Sequence, residues 1–118
     1  MPDHSQLVTL PSPTDHPFVI EHVAEEFTSV CPVTGHPDFG TVRVRFCPGA
    51  SCVELKSLKL YLWSFRDEGQ FHEAVTNRIL DDLLEAVSPR KMTIIGDFFV
   101  RGGIKTIIEA TFEGTPKT

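Results

Sequence analysis

The apolar residues of this chain change their spacing twice, and that change limits the fold more than any other feature of the sequence. Between Thr41 and Phe46 they alternate, with Val42, Val44 and Phe46 facing one way and Arg43 and Arg45 the other, the mark of a half-buried strand. From Leu58 they recur at i, i+3, i+4 and i+7 as Leu58, Tyr61, Leu62 and Phe65, which predicts an amphipathic helix stopped near Gly69. A second helix is predicted from about Phe71 to Val87. Phe71, Val75, Ile79, Leu83 and Val87 line one face of it, and Ser88-Pro89 ends it. Two strands close the chain, Met92–Val100 and Ile104–Phe112, joined by Arg101-Gly102-Gly103, where paired glycines suit a hairpin turn with positive φ. Phe18–Phe27 alternates well enough to be the first strand. The order is ββααββ, an α+β domain with an antiparallel sheet and both helices on one face. Such a small sheet keeps two edges and one face uncovered, so association with further copies, and a site shared between them, is expected.

The remaining stretches are connections. Residues 1–17 hold Pro2, Pro11, Pro13 and Pro17 among Ser, Thr, Asp and His, and read as a flexible or extended lead-in to a single domain over 18–118. Cys31–Gly40, with two prolines and two glycines, reads as an ordered loop. The net charge of −5 argues against an extended basic footprint for nucleic acid. No apolar run approaches the roughly 20 residues of a membrane helix. The first residues lack the basic and apolar regions of a secretory signal, and three cysteines cannot all pair within one chain. Reduced thiols and a cytoplasmic setting are expected.

Three groups of residues can carry chemistry. Cys31 opens the 31–40 loop instead of sitting in an apolar stripe. A thiolate is the strongest side-chain nucleophile near neutral pH but needs a neighbour that favours its ionised form. Asp38, seven residues on, can return across the Gly35–Pro37 turn to the same pocket. Lys56 and Lys59 stand three apart at the opening of the first helix, where cations and the helix dipole together favour an anion; spacing alone also fits a solvated charged face. Arg101 before two glycines is a third cation, or only the decoration of a hairpin. His72 and Glu73 occupy the first turn of the second helix. A glutamate there is favoured by the dipole whatever its function, yet a carboxylate also pairs with the N–H edge of a guanine-like ring. No CxxC, HxxxH or HxE…CxxC pattern offers a metal site, and no GxGxxG or Walker A pattern is present. A bound dinucleotide would need some arrangement other than a doubly wound sheet.

Several stretches, taken in order, resemble one family. Glu54-Leu55-Lys56-Ser57-Leu58-Lys59-Leu60-Tyr61 is similar to the signature of the NADPH-dependent 7-cyano-7-deazaguanine reductases of queuosine biosynthesis, with Leu55 where Ser is frequent. Thr28 to Phe39 is similar to their nucleophile loop, and Phe71-His72-Glu73, Pro89-Arg90 and Arg101-Gly102-Gly103 follow in register. The resemblance covers about Glu26 to Ile104. It implies that Cys31 adds to the nitrile carbon as a covalent thioimide, with Asp38 the acid that protonates the nitrile nitrogen. It implies that Glu73 binds the deazaguanine edge beside His72, with Glu54 also at the substrate. It assigns Lys56, Ser57, Lys59, Arg101, Gly102 and Gly103 to NADPH and no residue to a metal. It further implies the tunnelling fold, whose ββααββ subunits join edge to edge into rings, here a decamer of two stacked pentamers with pockets between subunits. The substrate is then a free base, with no direct nucleic-acid or membrane partner.

Three rival readings stand beside this one. Amidinotransferases of the same fold use the same cysteine and nitrile on a base already in tRNA, and they lack the lysine-rich run. A non-enzymatic assembly module would tolerate Cys31→Ala. A cyclohydrolase-like zinc enzyme lacks its ligand spacing here.

Overall fold

The structure, a computed structural model, describes residues 2–114. In chain order its elements are β1 (Thr9–Pro11), β2 (Ile20–Val30), β3 (Pro37–Cys47), β4 (Ser51–Val53), α1 (Leu55–Trp63), α2 (His72–Val87), β5 (Lys91–Arg101) and β6 (Ile104–Glu113), with 3₁₀ turns at His4–Gln6 and Ser64–Asp67. Four strands form one antiparallel sheet in the order β2-β3-β5-β6. Both helices cover one face of it, as the order of periods predicts. The alternating residues Val42, Val44 and Phe46 meet Met92, Ile94 and Phe98 of β5 beneath Leu58, Tyr61, Leu62 and Phe65 of the first helical segment and Val75, Ile79, Leu83 and Val87 of α2. Burial of these side chains is the main favourable term, at roughly 1.5–3 kcal/mol each before the entropy of ordering is subtracted. Phe71 alone departs from its predicted face: it is exposed at the N-cap of α2.

Close approach of helix to sheet depends on Gly96. A Cβ there would stand 2.5 Å from the Thr76 hydroxyl oxygen and 2.8 Å from the Phe98 ring. The hairpin between β5 and β6 turns on Gly102 and Gly103, at φ +57° and +80°, as the paired glycines predict.

Three differences from the sequence reading matter for the site. The strand β3 begins at Pro37, not Thr41, so half of the presumed loop is paired with β2, and Ser29 lies opposite Asp38. β2 carries a bulge, with Glu25 and Glu26 set against Thr41 between the pairs Ala24–Val42 and Phe27–Gly40. Ile20, His22 and Ala24 face inward before it, and Phe27 and Ser29 after it. Residues 2–17 are also less free than their composition suggests. Asp3 and Gln6 cap the first 3₁₀ turn reciprocally, Leu7 enters the core, and β1 pairs with the unforeseen β4. The Arg78 guanidinium donates to the Pro2 carbonyl at 2.6 Å, and the buried Tyr61 hydroxyl and Arg78 both donate to Asp82. The prolines permit this because Pro11 closes a three-residue strand, where a missing N–H does little harm. Among the described residues no helix is long and apolar enough to cross a membrane.

Candidate active site

One end of the sheet gathers Cys31, Asp38, His72 and Arg101 from four different segments. The loop after β2 is closed tightly: the Cys31 N–H donates to the His36 carbonyl and the Gly35 N–H to the Cys31 carbonyl, both at 2.9 Å. Gly35 makes the turn with φ +73°. The end of β2 is pinned to the stretch leading into α2, with the Val30 N–H on the Glu68 carbonyl and the Gln70 N–H on the Val30 carbonyl. The nucleophile loop and the N-terminus of α2 are therefore held together by backbone bonds.

Asp38 is 6% exposed. An Arg101 guanidinium nitrogen lies 2.7 Å from its Oδ1, and the same nitrogen donates to the Pro37 carbonyl at 2.6 Å. His72 Nε2 is 3.4 Å from Oδ2. The His72 ring stacks on Phe98, and the His72 carbonyl accepts from Thr76 Oγ1 at 2.8 Å. A buried carboxylate with cationic and imidazole partners is a proton-handling group set beside a nucleophile. Cys31 is partly buried and free of any disulfide. The Thr34 hydroxyl, followed by the N–H groups of Thr34 and Val33, holds its thiol below the usual value, while the nearby Asp38 charge opposes them. The Thr34 oxygen itself accepts from the His36 N–H at 3.2 Å, which fixes its place in the loop.

Glu73 follows His72 and is exposed at the mouth of this cluster, in the first turn of α2. Gly102 and Gly103 lie beside Arg101 in the hairpin turn. The rest of the predicted set sits elsewhere. Glu54 is the N-cap of α1, its carboxylate accepting from the N–H groups of Ser57 at 2.6 Å and Lys56 at 3.0 Å, which hold it below the ordinary carboxylate range. The buried Ser57 hydroxyl donates to the Glu54 carbonyl and accepts from the Val8 N–H, so it ties down the chain start. Lys56 and Lys59 are exposed. Lys59 borders a groove of about 560 Å³ between β2 and α1 and, with Arg66, flanks the half-exposed indole of Trp63. Exposed cations around an aromatic face suit the phosphates and base of a dinucleotide. Within one subunit this run is not brought to Cys31: Glu54–Ser57 bond to Val8, and the Cys31 loop bonds to the segment beyond α1.

Sequence reading missed Ser29, Thr34 and Phe98. Phe98 was legible as an inward residue of its strand, but nothing local indicates that His72 rests on it. Ser29 was hidden by the bulge, which shifts its face.

Comparison with known proteins identifies the family and the fold. The model of the family described as QueF-like protein matches residues 37–117. The NADPH-dependent 7-cyano-7-deazaguanine reductase of Anaeromyxobacter sp. (strain Fw109-5) is 62% identical over 105 residues, which cover 88% of this chain and 86% of that protein. The protein of the same name from Thermomicrobium roseum is 52% identical over 111 residues, 93% of this chain and 87% of its own. The crystal structure of the archaeosine synthase QueF-Like in the apo form superposes with a TM-score of 0.78 at 22% identity, covering 86% of this chain and 99% of that one, and thereby shares the fold. The chain belongs to the QueF-like family.

Proposed function

We propose that this protein is an NADPH-dependent 7-cyano-7-deazaguanine reductase, converting the nitrile to the aminomethyl base for queuosine biosynthesis. The observation that carries this reading is the pairing of Cys31 with the buried Asp38 at one end of the sheet, in a chain 62% identical to a reductase of that name. The Cys31 thiolate adds to the nitrile carbon, and the nitrile nitrogen takes a proton from Asp38. The resulting thioimide divides a four-electron reduction into two hydride steps. NADPH supplies the hydride in each step. His72, fixed by Phe98, positions Asp38 and the substrate, and the Glu73 carboxylate accepts the N–H edge of the base. Lys56 and Lys59, with the Trp63 face, hold the cofactor; Arg101 and its glycines lie at the reacting end.

The cofactor run and the cysteine cluster are apart within one subunit, so the complete site forms between copies in a homo-oligomer, a decamer of two stacked pentamers. The edge of β2 before Val30 and the edge of β6, unpaired among the described residues, and exposed Val23, Phe39, Phe99 and Ile107 on the uncovered face, support that assembly. The setting is cytoplasmic and the substrate a free base, without direct nucleic-acid contact. The lysine run and the relatives' names favour reduction over amidine formation.

The test is NADPH absorbance with the purified protein and 7-cyano-7-deazaguanine, beside Cys31→Ala. Consumption of two NADPH per nitrile by the native protein, and none by the variant, is expected. A thioimide on Cys31 with no NADPH loss would instead move the assignment to amidine chemistry.

A further inference from the structure

The Ser29 hydroxyl is fully buried and has no hydrogen-bond partner among the described residues. Folded proteins leave few polar atoms in that state, because an unpaired interior hydroxyl costs on the order of 1–3 kcal/mol. Its position is specific. Ser29 is the cross-strand partner of Asp38, so the two side chains rise from one face of the sheet with Cβ atoms roughly 4.5–5.5 Å apart. The bond from the Cys31 N–H to the His36 carbonyl continues this ladder by one more pair. Cys31, two residues beyond Ser29, therefore shares the same face. The orphan hydroxyl thus shares one face with both the nucleophile and the acid.

In the resting protein the Asp38 oxygens are turned to Arg101 and His72, which leaves Ser29 without an acceptor. We propose that Ser29 is a positioning residue of the nitrile addition: its hydroxyl takes up the Asp38 carboxyl as His72 turns to the substrate, and holds it toward Cys31. This rests on the reductase reading. In the addition, the Cys31 thiol proton passes to Asp38. The sulfur electron pair forms the C–S bond as one C–N π bond breaks, and the proton passes from Asp38 to the nitrile nitrogen. The S–H is thereby added across the triple bond, with no external acid or oxidant. A carboxyl that first takes and then gives a proton needs a neighbour that donates to its ionised form and accepts from its neutral form. A hydroxyl does both, whereas a guanidinium only donates. At 3.4 Å, His72 is beyond ordinary hydrogen-bond length from Asp38.

The experiment is Ser29→Ala mixed with 7-cyano-7-deazaguanine in the absence of NADPH. The covalent adduct is followed by intact mass across pH, and the melting temperature is recorded beside it. Because the native hydroxyl has no partner, alanine is expected to leave the melting temperature unchanged or raised. The adduct rate falls at least tenfold, and its pH profile shifts, since Asp38 is then left with only His72 and Arg101 as partners while it exchanges a proton with Cys31. A variant of native stability that forms the adduct at the native rate and pH profile overturns the proposal. So does an alanine variant that fails to fold, because the hydroxyl is then bonded in the resting protein. If the native protein itself forms no adduct, the reductase reading has failed and takes this inference with it.

Discussion

The imidazole of His72 lies flat on the ring of Phe98, with centroids 3.9 Å apart and planes 3° apart, while its Nε2 faces Asp38. Phe98 is 1% exposed and packs on Phe27. The same side chain thus closes the core and forms the floor of the site, and the packing of sheet under helix sets where the imidazole points.

Phe98→Leu keeps most of the apolar volume but removes the flat surface. Unfolding in urea is expected to show a loss of about 1–2 kcal/mol. Turnover is expected to fall about tenfold, measured as NADPH oxidation, because a ring without its floor loses its aim.

Arg101 joins the tip of the β5–β6 hairpin to Asp38 and to the Pro37 carbonyl. Its removal leaves a buried carboxylate short of a charged partner. Arg101→Ala is expected to lose about 1 kcal/mol in urea unfolding, at the low end because the guanidinium is partly exposed. Arg101→Lys should restore part of this, since a single nitrogen reaches both the Asp38 carboxylate and the Pro37 carbonyl and an ammonium also carries several donors.

The Thr34 hydroxyl and two backbone N–H groups stabilise the Cys31 thiolate, so its folded value is lowered. Alkylation of Cys31 by iodoacetamide should rise with pH through a midpoint below the ordinary thiol value of about 8.5. The sign follows: a lowered value keeps the thiolate populated as pH falls, until the folded midpoint is passed. Thr34→Val should move that midpoint upward, read by peptide mass at Cys31 with Cys47 and Cys52 as internal references.

Lys59 is exposed beside Trp63 and is not bonded into the chain's frame as Glu54 and Ser57 are. Lys59→Ala should raise the KM for NADPH about tenfold while leaving adduct formation on Cys31 at its native rate. Glu54→Ala should instead lower the stability read in urea unfolding by about 1 kcal/mol, because it removes a helix cap.

The architecture was legible because its periods are strong: Val42-Val44-Phe46 cannot serve a helix, and Leu58-Tyr61-Leu62-Phe65 cannot serve a strand. The reach of β3 was not, since Pro37, Asp38 and Gly40 are poor strand formers that only the facing strand makes regular. The lead-in was misjudged for a similar reason, because its strand and turn depend on partners such as Val53, Ser57 and Arg78 that lie far along the chain. At the site, motif resemblance marked Cys31, Asp38, His72 and Arg101, and the structure brings them together. It could not mark Ser29, whose orientation follows from an irregularity in the pairing. Nor could it separate Ser57, which is buried and bonded, from Lys59, which stands in solvent two residues on.

The bulge at Glu25 and Glu26 makes the parity of β2 a functional quantity. Were the same residues paired regularly beyond Ala24, without the bulge, every later residue of the strand would change sides, carrying Phe27 out of the core and the thiol to the opposite surface. Loss of one glutamate would leave Ala24 and Phe27 two residues apart and both inward, so the deletion removes the irregularity and keeps the nucleophile on the side of its acid. A stretch that carries no chemistry of its own thus decides which surface of the sheet presents the nucleophile.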